Sequence, residues 1–215
     1  MVDVNKQVMP EIARKGRVAV LGTLADLHRQ APAYDLKVLA RLVRQIQPDL
    51  LCAEVRRDHW EAGQLSQMSL EYRQALVQVC RRSNIVLVPV AAEQTNVLTL
   101  PEGKRWQGLR RAFASLLNWQ LQWMQRLAGT PEAINSGTFG TLCSWMCGLI
   151  AWVCGPKVQR AWAATNEQIV QNVLAAVRRD PGRRVLVTVD CRRRHLLDRK
   201  LRTFSEIEVV RFDRL

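Results

Sequence analysis

Val18-Ala-Val-Leu-Gly-Thr-Leu-Ala-Asp-Leu-His28 is the stretch on which the reading of this chain turns. An apolar run stops at Gly22 and is followed at once by Asp26 and His28. A short apolar run bounded by glycine predicts a buried strand. In an open parallel sheet, ligands bind beyond the carboxyl ends of the strands, which is where this Asp and His would stand. Two later stretches repeat the design. Leu50-Leu-Cys-Ala-Glu54 and Val185-Leu-Val-Thr-Val-Asp190 are apolar runs that each end in a carboxylate. Three strand ends thus bring Asp26, His28, Glu54 and Asp190 to one edge of one sheet.

Asp35 stands as an N-cap before Leu36, Leu39, Leu42, Val43 and Ile46, whose spacing is helical. Gln47-Pro-Asp49 stops that helix and feeds the second strand. Residues 58–82 read as helical and 84–90 as a third strand. The order β-α-β-α-β with short links argues a parallel sheet with right-handed crossovers. After a loop at 91–103, a long amphipathic helix spans 106–127, and small residues mark a loop over 128–140. An apolar, Cys- and Trp-rich segment covers 139–154, and a further helix runs over 157–179. Asp180-Pro-Gly-Arg183 is a turn into strand 185–190, followed by a short helix at 195–204 and a last strand at 207–212. The expected fold is α/β, a three-layer sandwich around a mostly parallel central sheet of about five strands. It is one domain, 1–215, with a helical insertion or cap at 104–156 and a polar lead at 1–16.

The composition fits an ordinary globular protein, with 48% hydrophobic and 24% charged residues, and argues against disorder. The net charge of +13 is less ordinary and favours phosphates, nucleic acid or anionic membrane as partners. Residues 151–215 hold 14 Lys and Arg against 7 Asp and Glu, and Arg192, Arg193 and Arg194 are the densest run. That run is the candidate contact for an anionic partner or nucleic acid, although no zinc-finger, helix-turn-helix or RNP signature accompanies it. Such a run otherwise reads as a solvated face. The six cysteines follow no disulfide spacing and predict reduced thiols in a cytoplasmic protein. The N-terminus lacks the apolar core of a signal peptide. The apolar stretch Phe139 to Cys154 falls short of the ~20 residues that span a bilayer, so no transmembrane segment is expected. Its Trp145 and Trp152 allow peripheral contact with a membrane surface.

An Asp-x-His pair beyond a strand is metal-binding chemistry, since carboxylate and imidazole ligands suit Mn, Fe or Zn. On this reading Asp26, His28 and Glu54 hold a divalent metal. Glu54 doubles as the general base acting on bound water, and Asp190 and His195 close the site. The plainer alternative has Asp26 capping a turn, His28 at the surface and Glu54 paired with Arg56 or Arg57. Cys143 and Cys147, one helical turn apart, suit either packing or a soft metal or haem. Cys191 beside three arginines has the setting of an activated thiol. Walker A, Gly-x-Gly-x-x-Gly, His-Glu-x-x-His and Gly-x-Ser-x-Gly patterns are missing.

Several of these segments together resemble a known family. Gly22-Thr23 after a strand, then a helix into Gln47-Pro-Asp-Leu-Leu-Cys-Ala-Glu54, resembles the start of the TraB-like proteins. These belong to a loose superfamily with the ChaN-like proteins, the erythromycin esterases and the TIKI proteases. Glu71-Tyr-Arg-Gln-Ala-Leu76 before Ile85-Val-Leu-Val-Pro-Val90 is similar to their second helix and third strand. Asn166-Glu-Gln-Ile-Val-Gln-Asn172 before Arg184-Val-Leu-Val-Thr-Val189 resembles their Arg-Asn-x-x-Met helix and final motif strand. The resemblance covers about two-thirds of the chain. It implies an α/β fold with two Gly-x-x-His motifs and an acidic residue, and metal-dependent peptide cleavage, ester hydrolysis, haem or iron binding among its activities. Glu54 falls on the acidic position. Ala25 stands where the first His belongs, with His28 three residues on. Asp190 and Arg193 replace the Gly and His of the second motif, with His195 two residues later. Ala25-Asp-Leu-His28 is also similar to the Asp-x-His opening of calcineurin-like phosphoesterases, whose later Gly-Asn-His and Gly-His-x-His motifs are missing here. Two functions follow as expectations. One is a metal-assisted hydrolase of a peptide or ester bond, with a small-molecule or peptide substrate. The other is a non-catalytic binding protein of the same fold, holding an anionic partner.

Overall fold

The computed structural model describes residues 15–92 and 107–215. The polar lead at 1–14 and most of the expected loop at 91–103 lie outside the described residues. Five parallel strands form one sheet: β1 (Gly16–Thr23), β2 (Leu50–Ala53), β3 (Val86–Pro89), β4 (Arg184–Asp190) and β5 (Ile207–Val210). Their order is β3-β2-β4-β1-β5. The expected α/β fold with a parallel sheet of about five strands is what the chain adopts.

The central strands are apolar on both faces because helices cover both faces. Ala19, Leu21, Leu51, Ala53 and Leu186 pack on one side with α1 (Leu36–Ile46) and α3 (Val77–Arg81). Val18, Val20, Cys52, Val185 and Val187 pack on the other with α7 (Pro156–Arg179) and α8 (Cys191–Leu201). Asp35 caps α1 as its spacing predicts, its Oδ1 accepting the Val38 amide at 2.8 Å.

Three local expectations are corrected. The helix read over 58–82 is two pieces. A short α2 (Arg57–Glu61) is cut off before Gly63, whose φ of 66° ends the run, and a π-helical turn at Tyr72–Leu76 leads into α3. The loop read over 128–140 contains α5 (Pro131–Ile134) and the start of α6 (Gly137–Cys154). Thr130 and Ser136, an N-cap for each, are the signals in that stretch. The last helix starts at Cys191 rather than 195, because Asp190 caps it by accepting the Arg192 amide at 2.9 Å.

The long helix α4 (Gln107–Ala128) and α6 share a third apolar cluster with the first turns of α7, built on Leu117, Leu121, Met146, Ile150 and Trp162. Of the described helices, α6 alone is long and apolar enough to cross a membrane, and half of it is buried inside the protein. It docks on α8 where Gly140 lies against His195: a Cβ there would meet His195 Cβ at 2.9 Å.

Candidate functional site

The register pairs Thr23 with Asp190 and Ala53 with Thr188, so β1 and β4 end level and β2 ends two residues earlier, with Glu54 following it toward the same edge. That common edge is where the sequence places its acids. Gly22, just before it, is held at close quarters. Its amide donates to Asn135 Oδ1 at 2.7 Å, and its carbonyl accepts from Tyr34 Oη at 3.0 Å. A Cβ on Gly22 would stand 3.1 Å from Cys191 Cα and 3.2 Å from Arg194 Cβ, so glycine here lets α8 approach more tightly than most side chains allow.

Glu54 sits at the end of β2 with both oxygens engaged. Oε1 is 2.9 Å from Arg193 Nε, and Oε2 accepts the Asp190 amide at 2.8 Å. Burial raises the Glu54 carboxyl above its ordinary range, and the Arg193 charge pulls against that rise. Arg193 is only 4% exposed. Its Nη1 donates to Asn166 Oδ1 at 2.8 Å, and its guanidinium lies 4.2 Å over the Trp162 ring. One cation thus joins β2, α7 and α8. Arg192 grips the other carboxylate at the edge, donating to Asp190 Oδ2 from Nε at 2.9 Å and from Nη2 at 2.6 Å. Burial acts to raise the Asp190 carboxyl, but the Arg192 charge and hydrogen bonds outweigh it and hold it below its ordinary value. Arg194 is buried as well. The arginine run read as a candidate anion contact is therefore largely inside the protein: two members are buried and the third is clamped on Asp190.

His28 is 2% exposed, and both ring nitrogens serve the backbone. Nδ1 donates to the Tyr34 carbonyl at 2.5 Å and Nε2 accepts the Leu24 amide at 3.1 Å. That pattern requires the neutral ring, and burial lowers its pKa in the same sense. Asp26 is exposed, and its Oδ1 accepts the Leu70 amide at 3.3 Å, tying the turn after β1 to the segment before the π turn. His195 packs under α6 and faces Gly140. Burial and the charges of Arg194 and Arg199 lower its pKa. Hence Glu54 and Asp190 meet at the edge, while Asp26, His28 and His195 are each engaged elsewhere. Among the described residues no three His, Cys, Asp or Glu side chains are grouped so as to hold a metal ion.

Sequence reasoning passed over Glu71, the most perturbed acid of this region. It is 2% exposed beside the end of β1, and burial pushes its carboxyl up to about 8. Oε1 accepts from Thr23 Oγ1 at 3.0 Å and from Ser69 Oγ at 3.3 Å. Oε2 has no hydrogen-bond partner among the described residues and lies 3.7 Å from His28 Nε2. The next residue, Tyr72, is buried too: its hydroxyl accepts the Glu54 amide at 2.9 Å and donates to the Thr188 carbonyl at 2.8 Å. The one signal in the sequence was the polar pair Glu71-Tyr72 within an otherwise apolar helix face.

The thiols gather in the same quarter. Cys143, Cys147 and Cys191 are buried, and Gln125 Nε2 donates to Cys191 Sγ at 3.0 Å. Hydrogen bonds with Cys147 and Cys191, together with burial, push the Cys143 thiol far up, which opposes a thiolate there. Compared with family models, with curated proteins and with solved structures, the chain matches none.

Proposed function

We propose that this chain is a non-catalytic binding protein on a TraB/ChaN-like α/β frame, in which the hydrolytic edge has been rebuilt as a structural lock. The observation that carries the reading is Arg193 at the position of the family's second motif histidine. It stands on Glu54 while also holding Asn166 and Trp162. A general base must take up a proton, and a guanidinium in contact with it opposes that. Glu54 spends one oxygen on Arg193 and the other on the Asp190 amide. His28, the remaining candidate ligand, has its acceptor nitrogen occupied by the Leu24 amide. Binding rather than turnover is then the work left to the molecule, and the charge of +13 makes anionic partners the natural class.

The competing reading is a metal-assisted peptide or ester hydrolase using Mn, Fe or Zn on Asp26, His28 and Glu54, with Asp190 and His195 in support. Metal content by mass spectrometry, alongside hydrolysis of ester and peptide substrates, decides between them. The wild type is compared with an Asp26→Ala/His28→Ala variant. The binding reading expects sub-stoichiometric metal in both and no turnover with added metal. Near-stoichiometric metal that disappears in the variant, or metal-dependent turnover, overturns it.

A further inference from the structure

We infer that the outer face of α4 and α6 docks on an anionic lipid bilayer surface. The inference rests on the binding-protein reading and names the partner. A helix that only closes a core needs one apolar stripe, and α4 has two. Ala114, Leu117 and Leu121 face α6 and α7 and are buried. Leu109, Phe113, Leu116, Trp119, Trp123 and Leu127 recur every three or four residues on another face and are 46–73% exposed. Scattered exposed apolar residues need no explanation, but a continuous row of six on one helix face does. Helix α6 repeats the pattern with Leu142, Trp145 and Trp152, exposed at 46%, 64% and 69%, and contains no charged residue. The two rows meet in a groove of about 660 Å³, where Leu109 and Phe113 of α4 face Trp152 of α6 and Pro156.

Charge selects the occupant. Between residues 107 and 163 the exposed charged side chains are Arg110, Arg111, Arg126, Lys157 and Arg160 against the lone acid Glu132. None of these five cations makes a salt bridge among the described residues. A second copy of the chain docking face to face would set five cations against five. A bilayer with anionic headgroups supplies the missing negative charge and takes up the tryptophans, whose amphipathic rings favour the headgroup level. The seam beneath the face is braced by the core cluster of α4, α6 and α7, so the apolar side chains present themselves without unfolding.

The test is co-sedimentation of the full chain with vesicles of phosphatidylcholine alone and of phosphatidylcholine with about one-third phosphatidylserine. Tryptophan emission and its quenching by brominated lipid report insertion of the rings. The expected result is binding to the phosphatidylserine vesicles only, weakened by salt, with blue-shifted and quenched emission. Trp119→Ala/Trp123→Ala, both exposed positions, should weaken binding at least about tenfold. Arg110→Glu/Arg111→Glu should weaken it further than neutralisation, which costs about fivefold per cation. Circular dichroism checks that each variant is folded. No vesicle binding, binding indifferent to phosphatidylserine, or a dimer in sedimentation velocity that the Trp variant abolishes each overturns the inference. A metal-free, inactive chain that ignores vesicles refutes this inference alone. A metal-loaded hydrolase that binds them refutes only the binding-protein reading.

Discussion

Replacing Arg193 by alanine tests the lock directly. The substitution strands Glu54 in a buried setting, with the Asp190 amide as the remaining partner of its carboxylate, and leaves Asn166 Oδ1 without its donor. Removing one member of a buried ion pair costs about 3–5 kcal/mol, chiefly because the other charge is left uncompensated. For a chain of this size that corresponds to a fall in Tm of about 6–20 °C. Burial already raises the Glu54 carboxyl with Arg193 in place, so without it the folded state takes up a proton still more readily. A folded pKa above the unfolded one means stability that is complete below the unfolded value and declines as pH rises through the folded value. The variant should therefore lose least at the acidic end of the range in which the protein is folded and more as pH rises above the ordinary carboxylate range. Urea denaturation across that range measures it. Arg193→Ala combined with Glu54→Gln should recover at least about half of the loss at the higher pH, because the stranded Glu54 charge is then gone. A single-variant loss below about 1 kcal/mol, or a double variant no more stable than the single one, would refute the lock.

Three further outcomes follow from the same geometry. Glu71→Gln mimics the protonated carboxyl, whose folded pKa of about 8 exceeds the ordinary 4.5. The native Glu71 contribution fades as pH rises through that window, so the variant should match wild type near pH 5 and exceed it by a few kcal/mol, of the order of 2–4, near pH 8 in urea titrations. Gly22→Ala sets a methyl 3.1 Å from Cys191 Cα, a contact so tight that α8 must give by a few tenths of an ångström. It should cost about 1–3 kcal/mol in a thermal melt. Cys143, Cys147 and Cys191 are buried, and the Cys143 thiol is held protonated. These cysteines should resist alkylation in native protein and react once it is unfolded, as read by mass spectrometry of peptides.

The frame was legible because its signals are local. The apolar run at Val18 and its two echoes announce strands buried on both faces, and Asp35 announces α1. Glu54 and Asp190 were legible as edge residues for the same reason. Their partners were not, because pairing across 139 and 2 residues looks the same in a sequence. Arg192 to Arg194 read as a charged surface run, yet a helix that starts at Cys191 turns Arg193 inward and leaves Arg192 at the rim. The cap at Asp190 was itself a readable sign that the helix begins there. Glu71 was hidden more deeply: its burial depends on the π turn that follows it and on a strand end 48 residues away. His28 drew a functional reading from its spacing to Asp26, and its ring instead stitches the turn after β1 together.

The strand order carries a consequence for how the chain is made. Both neighbours of β1, strands β4 and β5, come from residues 184–210, whereas β1 ends at Thr23. On the ribosome the first strand emerges with no hydrogen-bonding partner and waits while about 160 residues are added. The two-strand fragment β2–β3 pairs early, but it gains a central strand only when β4 appears. Closing so distant a contact is slow. Throughout that delay both edges of β1 lack the partners they have in the finished sheet. The sheet is complete only once residues 184–210 are in place, because both its central strand and one of its edges come from them.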